Sequence, residues 1–184
     1  MRRLVPSLAC LALLPAMAFA PVRAADPLPN VPVEALDLQQ YAGEWHEIAH
    51  LPMFFQRQCV SDITATYTPR ADGTVGVRNA CRTEDGEMDV SEGVARPAGD
   101  AEGALEVRFA PEWLSWVPFV WGDYWVLEHD PQYRWAVVGS PSLDYLWVLS
   151  REPTMDRSLF EQLRTRALAR GYPVDELVMA AELR

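Results

Sequence analysis

Gly43-Glu44-Trp45-His46-Glu47-Ile48-Ala49 is the stretch on which the fold turns. The glycine permits a tight entry into an extended segment, and a tryptophan follows two positions later. Side chains alternate faces along a strand, so Trp45, Glu47 and Ala49 share one side and His46, Ile48 and His50 the other. Polar residues fall on both sides, so the stretch by itself does not tell which face is wet. Its meaning comes from what surrounds it.

Before it, Asp37-Leu38-Gln39-Gln40-Tyr41 reads as one helical turn. After it, Leu51 to Gln58 breaks the alternation with Pro52 and carries the adjacent pair Phe54-Phe55, a loop reading. From there alternation is regular. Ile63, Ala65 and Tyr67 interleave with threonines, Pro69 to Gly73 is a turn, and Val75, Val77 and Cys81 continue on alternate positions. Glu84-Asp85-Gly86 and Pro97-Ala98-Gly99-Asp100 are further turns, around strands carrying Met88, Val90 and Val94 and then Leu105, Val107 and Phe109. Pro111 to Gly122 is different: Trp113, Trp116, Phe119 and Trp121 crowd together with two prolines, which no regular strand accommodates. A strand from Asp123 to His129 follows, with Trp125 and Leu127 read as facing inward, opposite Glu128. Next come a turn at Asp130 to Gln132, a strand from Tyr133 to Val138, and Leu143 to Leu149, apolar on both faces as suits a strand covered on both sides.

Asp156 is placed to cap a helix starting near Arg157, with Leu159, Phe160, Leu163 and Ala167 as its apolar stripe and Gly171 at its end. A short strand is expected at Leu177 to Ala180. About eight strands in meander order, then one helix, predict an all-β chain: an eight-stranded antiparallel up-and-down barrel with a C-terminal helix packed outside. Closing the sheet removes its edges, and a barrel of this size holds one small ligand.

The ends and the composition bound the function. Met1-Arg2-Arg3, the apolar run Leu4 to Ala20 and the small residue Ala24 read as a signal peptide, residues 1–24, cut after Ala24. Cys10 lies within the apolar run rather than at its end, which does not favour a lipid-anchored cysteine and makes outer-membrane anchoring the lesser expectation. Residues 25–37 form an extended segment, and residues 38–184 the domain. The whole chain carries a net charge of −10 with no lysine; the leader holds three arginines and no acid, leaving −13. That balance argues against nucleic acid and against an anionic membrane surface. Two cysteines remain, an even count in an exported protein. If Thr68 and Thr74 flank the first hairpin turn, Cys59 falls opposite Cys81 on the face shared by Ile63, Tyr67, Val75 and Val77, which favours a disulfide over two separate thiols.

These residues resemble the lipocalin family, in its bacterial lipocalin and apolipoprotein D branch. Gly43-Glu44-Trp45 resembles the family's first signature, Asp130 and Tyr133 the second, and Arg151 the third, the match running roughly from Leu38 to Leu183. The resemblance implies that the three meet at the closed end of the barrel, with Arg151 across Trp45. It implies an apolar cup, with Tyr67 and Trp125 lining it.

The loops expected at the open end are residues 51–58, 82–87, 111–122 and 140–144. Phe54 and Phe55 are expected at the mouth, with Trp113, Trp116, Phe119 and Trp121 as an aromatic flap; Leu127 joins the lining by parity. Glu47 shares parity with Trp45. It either points into the cup, toward a head group or toward Arg78 or Arg108, or is solvated on a rotated face. No metal, nucleophile or phosphate-loop pattern is present, and His46, His50 and His129 have no ligand spacing. The expectation is a periplasmic, non-enzymatic carrier or store of small hydrophobic ligands, fatty acids or lysophospholipids among them, needing no cofactor and with peripheral membrane contact through the flap. The alternatives are a lipocalin-fold enzyme acting on an oxidised lipid and an envelope protein-interaction module. Oligomeric state is left open.

Overall fold

The computed structural model describes residues 26–184; the leader and Cys10 lie outside them. A single helical turn, α1 (Leu38–Tyr41), is capped by the Asp37 carboxylate, which accepts from the Gln39 and Gln40 amides. Eight strands follow: β1 (Gly43–His50), β2 (Ser61–Pro69), β3 (Val75–Arg82), β4 (Met88–Pro97), β5 (Ala104–Arg108), β6 (Gly122–His129), β7 (Trp135–Gly139) and β8 (Leu146–Ser150). Each pairs antiparallel with the next. β1 pairs with both β2 and β8 and so closes the barrel. The helix α2 (Arg157–Ala169) comes next, capped by Asp156 and ended by Gly171 at φ +99°. A ninth strand, β9 (Val178–Met179), pairs with the last residues of β1 outside the barrel.

Two cores result. One fills the closed half of the barrel, around Trp45, Val126, Val138 and Leu149. The other lies between the barrel wall and α2, where Phe160, Leu163 and Ala167 of the helix meet Ile48, Val148 and Tyr172. The closed end is tied by Arg151. Its guanidinium carbon sits 3.8 Å above the Trp45 ring, and it donates to the carbonyls of Gln40, Ala42, Glu44 and Tyr133. Trp45 Nε1 donates to Tyr41 O at 2.8 Å. In the adjoining turn the Asp130 carboxylate takes a two-pronged contact from Arg134 at 2.8 Å to each oxygen, which holds it below the usual carboxylate range.

Two β-bulges decide which side chains face inward. In β1 the register slips between Glu47 and Ala49, so Ile48 is the extra residue. Beyond it the faces exchange, and His50 returns to the side of Glu47 while Ile48 and Ala49 both pack outward. In β6 the slip lies between Val126 and Glu128, with Leu127 as the extra residue. Here the sequence reading is corrected: Trp125 and Leu127 face outward, against the helix-side core, while Tyr124 and Val126 face in. Glu128 is no marker of the wet face either, because Arg166 of α2 and Arg170, which caps its C-terminus, close on it at 2.7 and 3.4 Å. The outer wall is apolar because the helix covers it. Leu127→Ala is therefore expected to cost about 2 kcal/mol in urea denaturation while leaving ligand affinity unchanged; lost affinity at unchanged stability would return Leu127 to the cavity.

The Cys59–Cys81 disulfide is present, with Cα atoms 5.4 Å apart. The hairpin register differs from the expected one. Pro69 opposes Val75, the pairing slips by one residue between Ser61 and Thr64, where Asp62 adopts φ +52°, and Cys59 lies ahead of β2 rather than in the ladder opposite Cys81.

Candidate functional site

Because the strands alternate in direction, the segments between β1 and β2, β3 and β4, β5 and β6, and β7 and β8 gather at one end. They surround a cavity of about 710 Å³ that descends between the strands. Its wall is built from the inward residues of strands whose outer faces are either solvated or covered by α2.

One side of the cavity is a file of aromatic rings. Phe54 stands edge-on to Phe55 at 5.3 Å, Phe55 lies 5.9 Å from Tyr145, and Tyr145 stacks on Trp147 at 6.0 Å. Trp147 lies 6.4 Å from Tyr124, and Tyr124 lies 5.8 Å from Tyr67. At the floor the hydroxyls of Tyr41 and Tyr67 each lie 2.8 Å from that of Tyr124. Burial pushes all three phenols above their ordinary range, so they stay protonated. Three protons serve two hydrogen bonds, so one hydroxyl proton of the cluster is not used within it.

Glu47 lines the cavity and is 7% exposed, which a lone carboxylate does not tolerate. It is satisfied by His50, in close contact through Nδ1, and by Gln56, whose Nε2 donates to both oxygens at 2.7 and 2.9 Å. Neither Arg78 nor Arg108 is its partner. The Arg108 guanidinium donates to Ala110 O and lies 5.1 Å from the Trp121 ring. The β1 bulge makes the Glu47–His50 contact, since unbroken alternation over three residues would put the pair on opposite faces.

The segment after β5 is the flap. Trp121 anchors its base: its ring lies 3.9 Å beneath the Arg96 guanidinium, its Nε1 donates to Ser115 O at 2.9 Å, and its edge reaches the cavity. Trp113 and Trp116 do not line the cavity and stand 73% and 79% exposed; Phe119 lines the mouth and is 96% exposed. Phe54, Phe55, Tyr67, Trp121 and Glu47 thus converge on the cavity, while Trp113, Trp116, Trp125 and Leu127 do not. Sequence reasoning missed Tyr124, Tyr145 and Trp147. Trp147 sat in a run apolar on both faces, where alternation gives no direction; Tyr124 had the opposite parity to the tryptophan chosen beside it. Among the described residues no three His, Cys, Asp or Glu side chains gather as metal ligands.

The lipocalin-like domain family matches residues 36–182. Temperature-induced lipocalin-1 of Arabidopsis thaliana is 40% identical over 148 residues, covering 79% of this chain and 78% of the plant protein. The outer membrane lipoprotein Blc of Vibrio cholerae is 36% identical over 150 residues, covering 80% and 83%. In structure, insecticyanin of the tobacco hornworm Manduca sexta superposes with a TM-score of 0.64 at 21% identity, over 86% of this chain and 87% of its own, which bears on the fold alone. With the signature residues joined at the closed end and a cavity open at the other, this chain belongs to the lipocalin family.

Proposed function

We propose that this lipocalin carries or stores single-chain lipids or similar small hydrophobic molecules in the cell envelope, as an exported protein whose leader is cut after Ala24. The aromatic-walled cavity carries the reading. Burying a chain gains about 0.8 kcal/mol per CH₂, and the volume suits a ligand of lipid size. The name of the Vibrio cholerae relative, an outer membrane lipoprotein, agrees with an envelope setting. Fatty acids and lysophospholipids, both expected from the sequence, fit the apolar wall equally; they differ in what their head groups meet at the mouth. Organic extraction of the purified protein followed by mass spectrometry tests the reading. A retained single-chain lipid supports it; an empty protein holding a protein partner tightly contradicts it.

The exposed flap carries the second half of the proposal, transient contact with a lipid surface. Trp113→Ser combined with Trp116→Ser removes about 2 kcal/mol of apolar burial per ring on docking. Partition onto phosphatidylcholine vesicles is expected to fall by about tenfold or more, with the fold unchanged by circular dichroism. Equal partition of the variant and the parent would leave the flap without that role.

The Glu47–His50 pair supports one further reading, acid–base chemistry on a bound oxidised lipid. It predicts turnover that Glu47→Gln abolishes; a lipid recovered unchanged after incubation speaks for the carrier.

A further inference from the structure

The charges around the cavity are one-sided. Among the described residues the charged side chains lining it are Glu47, Asp89 and Asp123, and no Lys, Arg or His side chain joins them. Two of the three are held in place by the loop that follows β1: Gln56 donates to Glu47, and Gln58 Nε2 donates to Asp89 at 2.9 Å. Three of the cations around the mouth are turned to other work, and Arg57, between Gln56 and Gln58 in the loop after β1, does not line the cavity. Arg82 pairs with Asp62 at 2.8 Å, Arg96 with Glu106 at 2.9 Å, and Arg108 is spent on Ala110 O and the Trp121 ring. His50 sits behind Glu47 rather than on the cavity wall. The wall beside Glu47 is aromatic, with Trp147 on the paired strand β8, Tyr145 stacked on it and Phe55 next to Tyr145.

An aromatic face is electrostatically negative, so rings and carboxylates bias the site in the same direction. A carboxylate head drawn into the cavity would meet like charge and lose its hydration with no cation on the wall to replace it. An ammonium head would find carboxylates for ion pairing and rings for cation–π contact. The chain's net charge of −10 extends the same bias outward, slowing anions and drawing cations toward the mouth.

We propose that the cavity selects cationic amphiphiles, molecules with one apolar chain and an ammonium head, over fatty-acid anions. The proposal rests on the carrier reading above and names the ligand class for that site. It would make the protein a scavenger or carrier of long-chain amines and quaternary ammonium compounds rather than of free fatty acids.

Calorimetric titration of the purified protein with decyltrimethylammonium, decanol and decanoate separates chain from charge. The ammonium compound is expected to bind about tenfold or more tighter than decanoate at low salt and neutral pH, with decanol between them. In the double variant Asp89→Asn, Asp123→Asn the ratio of ammonium to decanol affinity is expected to fall toward one. Decanoate binding as tightly as the ammonium compound, with decanol also bound, overturns the charge selection and leaves the carrier reading standing. A tenfold preference that persists undiminished in the double variant overturns the assignment to these carboxylates. Failure of all three probes to bind overturns the selection and the carrier reading together.

Discussion

Arg151→Ala is expected to lower the unfolding free energy by about 4 kcal/mol, the largest effect of any single substitution considered. The guanidinium donates to five backbone carbonyls at the closed end, at 2.7 Å to Glu44, 2.9 Å to Gln40 and Ala42, and 3.2 Å to Tyr41 and Tyr133, and it covers the face of Trp45. Removing it takes the side-chain donor from these acceptors, of which Tyr41 O keeps the Trp45 indole, and opens the Trp45 ring to water. The group is only part-buried, so the total stays well below the sum of its separate contacts. Arg151→Lys is expected to recover little, because an ammonium cannot present a planar fork to several carbonyls at once. Urea denaturation followed by tryptophan fluorescence measures both; a loss for Arg151→Ala below about 1 kcal/mol would mean that the closed end is held by something else.

Gly103→Ala is expected to cost about 3 kcal/mol by overpacking and lost hydrogen bonds. The residue stands where the N-terminal strap crosses the barrel. Its amide donates to Val33 O at 3.0 Å, its carbonyl accepts from Val126 N at 2.9 Å, and Val33 N donates to Val126 O at 2.8 Å. An added Cβ would lie 2.8 Å from Val33 O and 3.0 Å from Val126 O. Both are backbone atoms of that same knot, so neither can swing aside as a side-chain tip would. The strap must lift, exposing Leu36, which is 4% exposed. Hydrogen exchange is expected to show lost protection at Val33 and Val126 together; a variant as stable as the parent with both amides protected would contradict the account.

Local chemistry made much of this structure readable from the sequence. The glycine-tryptophan entry of β1, the Asp156 cap and Gly171 stop of α2, and the turns after β2 and β3 each depend on residues close together in the chain. The bulges were not readable. Whether Ile48 and Leu127 are extra residues depends on the pairing of β1 with β8 and of β6 with β7, which alternation within one strand does not contain. Two site errors follow from them and from the helix: Trp125 and Leu127 were turned inward although α2 covers their face, and the Glu47–His50 contact was not foreseen. The Arg96–Trp121 stacking that anchors the flap likewise joins distant strands. Tyr67 was placed toward the cavity, where it lies, whereas alternation left Glu47 open between the cup and solvent and the cavity lining decides it.

The central claim is that a small apolar molecule occupies the barrel between the aromatic file and β3. Asn79 lines that space from β3, so Asn79→Trp places an indole where the chain of a ligand would lie. Calorimetric titration with decanol tests this directly. The parent is expected to saturate at one molecule per chain, and Asn79→Trp to bind about tenfold or more weakly with its thermal unfolding unchanged. Binding that never saturates, or equal affinity in the plugged variant, would place the ligand outside the barrel and contradict the account.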